Sequence, residues 1–207
     1  MIIILNGASS SGKTTLARAL QHLTPDFKFL TLGQDSFIKM MPYGMLGFSQ
    51  FAREGFFFEY LSDGKNIDPR IAIRTGDFGK KLIEGAAKTA AMLADIGFNL
   101  IIDEVLLEPL YLDLYIRSLS DKKVYFIKVF CELKVLQERE ILRDNRSWGI
   151  ACEQFHTIHP SYYHYDFEVD TTISPTFDNA KSILAFIAKC ENPSGLNATK
   201  EALVKKY

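Results

Sequence analysis

The sequence predicts an α/β protein organised around a parallel β-sheet with crossover helices, and three features of the chain lead there. Short apolar runs rich in β-branched residues stand at 2–6, 27–32, 99–103, 124–130 and 167–170. Runs of that length and makeup suit strands buried on both faces. Segments of helical periodicity lie between and after them, at about 13–22, 76–96, 132–143 and 176–190, the alternation a parallel sheet requires. Finally, the first apolar run passes directly into a glycine-rich turn and then into a helix.

That turn reads Gly7-Ala8-Ser9-Ser10-Ser11-Gly12-Lys13-Thr14-Thr15, so Gly7, Gly12, Lys13 and Thr14 fill the pattern G-x-x-x-x-G-K-[ST]. A buried strand before it and a helix after it are the context that supports a phosphate-binding loop. Glycines let backbone amides turn inward, and the helix N-terminus adds positive partial charge. The nine residues from Gly7 to Thr15 are thus expected to cradle a nucleoside triphosphate. Lys13 would reach the β- and γ-phosphates and the Thr14 hydroxyl would hold Mg²⁺. An ordinary strand–turn–helix crossover is the alternative.

The second strand, at 27–32, leads into Leu32-Gly33-Gln34-Asp35-Ser36. An ionised Asp35 accepts hydrogen bonds only, which suits orienting an acceptor hydroxyl and taking its proton. Capping a helix that begins near Phe37 explains it equally well. An insert follows at about 43–75, carrying Phe48, Phe51, Phe56, Phe57, Phe58 and Tyr60, then Asp63-Gly64 between apolar runs, a hairpin signal. Those aromatics either wall a pocket above the strand ends or form local core at the sheet edge.

The third strand ends in Ile101-Ile102-Asp103-Glu104, an apolar run closing on carboxylates. After a phosphate-binding loop, Asp103 there is expected to orient the Mg²⁺ hydration shell, with turn or cap duty as the alternative. Glu104 would share that role or face the substrate. Following the fourth strand, Arg139, Arg143 and Arg146 recur at i, i+4 and i+7, one helical face. Guanidinium forks match the charge spread over transferring phosphoryl oxygens, which suits a lid. A solvated face paired with Glu138 and Glu140 is the other option.

Composition excludes several classes. The 207 residues carry a formal charge of −1 and mean hydropathy near zero, with Lys and Arg dispersed. Neither nucleic acid nor an anionic membrane surface is an expected partner. No run reaches membrane-span length, and the first strand lacks the charged start of a signal peptide, so a cytoplasmic setting is expected. Cys131, Cys152 and Cys190 are odd in number and lack C-x-x-C spacing, favouring reduced thiols over disulfides or zinc. The sequons at Asn145 and Asn197 mean little without secretion. His156, His159 and His164 match no zinc signature and are expected to be polar loop residues near the lid.

Several stretches are more specific than the general pattern. They are Ile4-Leu5-Asn6-Gly7-x-Ser9-Ser10-x-Gly12-Lys13, Gly33-x-Asp35-Ser36 leading to Met41-Pro42, and the Asp63-Gly64 turn. Further on come Ile101-Ile102-Asp103-Glu104-Val105 and Arg139-Glu140-x-x-Arg143-x-x-Arg146 with Gly149, Ala151 and Gln154, then Tyr165-Asp166-x-Glu168-Val169-Asp170-Thr171-Thr172. Together, from residue 2 to about 187, they resemble the chloramphenicol phosphotransferases and their wider chloramphenicol phosphotransferase-like group. The resemblance implies an ATP- and Mg²⁺-dependent phosphotransferase acting on a small-molecule hydroxyl. It implies Asp35 as the base for a primary hydroxyl and the lid arginines as phosphate contacts. It also implies a three-layer P-loop kinase sandwich, similar to shikimate kinase and the nucleoside monophosphate kinases, with strand order 2-3-1-4-5.

On this reading residues 1–191 form one phosphotransferase domain, with a lid at about 139–155, and 192–207 form a tail that carries no chemistry. The insert at 48–74 keeps the family outline but is heavier in Phe, which leaves the acceptor open. Two competing classes share parts of the pattern. A non-catalytic nucleotide switch would not need Asp35 beside an aromatic pocket, and a toxin-type kinase acting on a nucleotide sugar would need polar acceptor contacts.

Overall fold

The computed structural model describes residues 1–61, 70–143 and 149–206. The chain runs β1 (Ile2–Asn6), α1 (Lys13–Leu23), β2 (Leu30–Leu32), α2 (Gln34–Ile38), β3 (Leu46–Gly47), β4 (Phe56–Tyr60), β5 (Ile71–Thr75) and α3 (Asp77–Asp95). It continues through β6 (Leu100–Glu104), α4 (Pro109–Ser118), β7 (Val124–Phe130), α5 (Leu133–Ile141), α6 (Ile150–Thr157), β8 (Phe167–Asp170), α7 (Thr176–Lys189) and α8 (Gly195–Lys206).

Five strands form one parallel sheet in the order β2-β6-β1-β7-β8, which is 2-3-1-4-5 when only that sheet is counted. The central strand explains the layering. Successive side chains point to opposite faces, so Ile2 and Ile4 go one way and Ile3 and Leu5 the other. The first pair joins Leu100, Ile102 and Phe126 under Ile83 and Ala87 of α3, Leu112, Tyr115 and Ile116 of α4, and Leu196 and Leu203 of α8. Ile3 and Leu5 join Ile101, Ile127 and Val129 under Leu16 and Leu20 of α1 and Ala180 and Ile183 of α7. Each of the four β1 residues is at most 1% exposed, and such burial contributes roughly 1.5–3 kcal/mol per large apolar side chain.

The insert forms its own three-stranded sheet, β3-β4-β5, in which β4 and β5 run antiparallel with Phe56 opposite Thr75 and Phe58 opposite Ile73. Its expected Asp63-Gly64 turn lies outside the described residues.

Elsewhere the elements differ from the sequence reading for local reasons. Strand β2 begins at Leu30, because residues Pro25–Phe27 form a 3₁₀ turn closed by Lys28 at φ +47°. Pro25 sits in the first turn, where its missing N–H costs nothing. Helix α4 was not expected, although Pro109 at its start is a legible signal. The tail segment is also ordered. Helix α8 buries Leu196, Thr199 and Leu203, and Asp166 Oδ1 accepts hydrogen bonds from the amides of Ser194 and Gly195 at 2.8 and 2.7 Å. Among the described residues no helix is long and apolar enough to cross a membrane. All three cysteines are free thiols.

Candidate active site

The glycine-rich loop sits at the carboxyl end of β1, where ligands bind in open parallel sheets. Gly12 occupies the N-cap of α1 at φ +87°, a left-handed conformation that favours glycine, and no side chain caps the helix. Ser10 adopts φ +65° although it is not glycine, and its buried Oγ finds no hydrogen-bond partner among the described residues. A buried hydroxyl left unsatisfied costs free energy, as does a left-handed conformation at a residue other than glycine. Lys13 is nearly buried and folds back over the loop, its Nζ donating to Ala8 O at 2.8 Å and Ser11 Oγ at 3.5 Å.

Register places the other parts. Leu5 pairs with Asp103, so the end of β6 lies beside the start of the loop. Thr14 Oγ1 donates to Asp103 Oδ2 at 2.6 Å, bringing the two expected Mg²⁺ ligands into direct contact. On the far side of β6, Gly33 approaches so closely that a Cβ would stand 2.0 Å from Asp103 O. That approach delivers α2, and Asp35 in its first turn, to the same cleft. Gly33 occupies the N-cap position, so the helix starts before Asp35 rather than near Phe37.

Glu104 takes neither of the roles expected for it. It is 1% exposed, and its Oε1 accepts from the Gln34 amide at 2.9 Å and the Tyr115 hydroxyl at 2.5 Å. Burial pushes its pKa up to about 8, with Asp103 and Asp35 adding in the same direction.

A cleft of about 300 Å³ joins these groups. Ser9, Ser10, Gly12, Lys13, Thr14, Asp35 and Asp103 line it together with Leu46, Phe56, Phe58, Ile73 and Thr75 of the insert sheet. The insert aromatics therefore divide by face. Phe56 and Phe58 wall the cleft, while Phe48 lies outside it, edge-on to Phe58 and stacked on Tyr60. Phe57 instead takes the Arg53 guanidinium over its ring, 5.2 Å from the centroid. Two hydroxyls also line the cleft, Tyr111 donating to Thr75 Oγ1. Sequence reasoning missed this pair. The signal was Tyr111 and Tyr115 at helical spacing just after the Asp103 strand.

The expected lid is not a single arginine-bearing helix. Helix α5 ends at Ile141, so Arg143 comes from the turn beyond it, and Arg146 lies outside the described residues. Arg143 lines the cleft. Arg139 borders an adjoining hollow with Gly12, Thr15 and residues 171–176, and donates to Thr171 O at 2.8 Å. Glu140 is buried and accepts the amides of Gly149 and Ala151 at 2.8 and 2.9 Å, capping α6. Helix α6 then ties the loop to the insert sheet. Gln154 Oε1 accepts the Ser9 amide at 2.6 Å, Gly149 O accepts the Ile71 amide at 3.1 Å, and Arg70 pairs with Glu153 at 2.5 Å.

His159 is not a loop residue in water. Its Nδ1 lies 2.8 Å from the Tyr165 hydroxyl, and burial lowers its pKa to about 4.

A family model described as chloramphenicol phosphotransferase-like protein matches residues 1–188. Two Mycobacterium tuberculosis proteins, from strains CDC 1551 / Oshkosh and ATCC 25618 / H37Rv, are each named provisionally as an O-phosphotransferase. Both are 24% identical to this chain over 200 residues, covering 97% of it and 88% of their own length. Among solved structures, an unliganded sugar kinase from Janibacter sp. HTCC2649 superposes with a TM-score of 0.60 at 17% identity, over 91% of this chain and 95% of its own. The APS kinase CysC of Mycobacterium tuberculosis, in complex with AMPPNP and APS, also reaches 0.60, at 13% identity over 90% and 96%. At those identities the likeness is one of fold.

Proposed function

The chain belongs to the chloramphenicol phosphotransferase-like family, and on that footing we propose that it is an ATP-dependent phosphotransferase moving the γ-phosphoryl group onto a hydroxyl of a small molecule. One observation carries the reading. A single cleft is lined both by Lys13, the Thr14–Asp103 pair and Asp35 and by the apolar side chains of Phe56, Phe58 and Ile73.

The residues present fit the nucleotide and its metal. Among the described residues the Ser10 hydroxyl finds no partner, the N-cap of α1 is a glycine with no capping side chain, and Thr14 and Asp103 offer a hydroxyl and a carboxylate side by side. ATP supplies a phosphoryl group already attached to a good leaving group, and Mg²⁺ neutralises part of its charge. Gly7 to Thr15 would bind the phosphates through backbone amides. Lys13 would leave its Ala8 carbonyl for the β- and γ-oxygens, while Thr14 and Asp103 would hold the ion.

Arg139 and Arg143 would place guanidinium charge from the lid side, where it stabilises oxygens as negative charge spreads over them. Asp35 would orient the acceptor hydroxyl and accept its proton as the oxygen bonds to phosphorus and the bond to ADP breaks. The apolar wall would seat the carbon skeleton of the acceptor, fixing its hydroxyl within reach of Asp35. Residues 1–191 would work as one phosphotransferase unit.

The test is a panel of hydroxylated small molecules, chloramphenicol included, incubated with Mg²⁺–ATP. Acceptor-dependent ADP release with a product heavier by one phosphoryl group is expected. Nucleotide binding without any phosphorylated product across the panel would favour a switch protein instead.

A further inference from the structure

Three carboxylates meet at the end of β6, and two of them face the cleft. Glu104 turns the other way, into the protein and out of the cleft lining. Its partners come from two different elements: the Gln34 amide at 2.9 Å opens α2, and the Tyr115 hydroxyl at 2.5 Å comes from α4, wholly buried. Next to this bond, Gly33 packs on the Asp103 carbonyl, where a Cβ would stand at 2.0 Å. Two consecutive residues before Asp35 are therefore pinned to two consecutive residues at the end of β6.

We infer that Glu104 is a positioning residue for Asp35: by accepting the Gln34 amide it fixes the first turn of α2 against the end of β6, and Tyr115 aims its carboxyl. The inference rests on the base role proposed for Asp35. Reach matters here because small misplacements of a reacting group cost large factors in rate. The role requires an acceptor oxygen, and glutamine supplies one at the same reach. Methionine has similar bulk but leaves the Gln34 amide and the Tyr115 hydroxyl without their acceptor.

The test combines hydrogen–deuterium exchange at residues 34–38, affinity for a non-hydrolysable ATP analogue, and steady-state turnover on an acceptor found with the panel above. In Glu104→Met, exchange at 34–38 is expected to rise about tenfold and kcat to fall about 10–100-fold, with analogue affinity within about twofold. Glu104→Gln is expected to restore both toward wild type. Unchanged exchange in Glu104→Met would overturn the inference. So would a Glu104→Gln enzyme as slow as Glu104→Met with normal exchange, since the charge itself would then act in the chemistry. A matching loss of analogue affinity would overturn it too, by placing Glu104 with the nucleotide. If Glu104→Met does not fold, Tyr115→Phe removes one anchor alone. Raised exchange at 34–38 then supports the inference and unchanged exchange contradicts it. If wild type phosphorylates no acceptor, the functional reading fails while the exchange measurements still decide the role of Glu104.

Discussion

Thr14 Oγ1 donates a 2.6 Å hydrogen bond to Asp103 Oδ2, joining the first turn of α1 to the end of β6 across 89 residues of sequence. The pair lies open to the cleft, so a cation could enter between hydroxyl and carboxylate without disturbing the core. Asp103→Asn keeps an acceptor for Thr14 but removes the charge. Melting temperature should stay close to wild type, because an exposed bond of this kind contributes only about 1 kcal/mol. The Mg²⁺ concentration for half-maximal turnover should rise at least about tenfold, since a hard cation loses its anionic ligand. A magnesium titration indistinguishable from wild type would exclude Asp103 as a metal ligand.

Lys13 serves the loop as well as the proposed chemistry. Its Nζ holds Ala8 O at 2.8 Å, and the side chain is 6% exposed. Lys13→Met preserves the packed stem and removes the charge. Turnover should fall by about 10²–10³-fold, the scale for losing one preorganised donor. Stability should drop by about 1–3 kcal/mol, as expected for a buried carbonyl left without its partner. Turnover and urea unfolding on the same preparation would separate the two effects. Retained turnover would place catalysis elsewhere.

Much of this arrangement was legible in the chain. The parallel strands are legible because burial on both faces demands unbroken apolar runs, and the glycine-rich loop because its pattern fixes residue type and spacing together. What escaped depends on tertiary direction. The carboxylates of Asp103 and Glu104 are adjacent in sequence, yet the pleat sends one to the cleft and the other to Tyr115. The insert aromatics divide for the same reason, Phe56 and Phe58 inward and Phe57 outward onto Arg53. Arg139 and Arg143 share helical spacing but not a helix, because α5 stops at Ile141.

The Arg70–Glu153 pair and the Gly149–Ile71 hydrogen bond connect α6 to β5, whose Ile73 and Thr75 line the cleft. Both ionic side chains are partly shielded, 31% and 15% exposed. Arg70→Ala should therefore loosen the proposed acceptor side, raising acceptor KM by about 2–5-fold, within the range of a partly exposed ion pair. ATP affinity should hold, since Gln154 still bonds Ser9. Acceptor and nucleotide saturation curves check both halves. A rise confined to the ATP curve would contradict this division.

Stability should respond to pH through His159. Burial holds its pKa at about 4, below the ordinary value of 6.5. Between those values the unfolded chain binds the extra proton and the folded chain does not, so stability rises with pH across the window and levels off above it. Falling from pH 7 to pH 5, this group should cost the wild type about 2 kcal/mol at most. His159→Gln should lose less over the same interval, its carboxylates being shared with wild type. Urea unfolding of both proteins at the two pH values gives the difference, and equal losses would mean His159 titrates normally.

The central claim is that Asp35 takes the acceptor proton, and Asp35→Asn tests it most directly. The residue stands in the first turn of α2, with Gly33 at the N-cap. Asparagine keeps the shape and loses a favourable charge near the helix start, about 0.3–1 kcal/mol. The measurement is acceptor-dependent turnover beside the ATP dissociation constant and melting temperature. Turnover is expected to fall by roughly 10²–10⁴-fold with ATP affinity and melting nearly unchanged. Turnover near wild type would contradict the account and leave Asp35 a structural residue of the helix start.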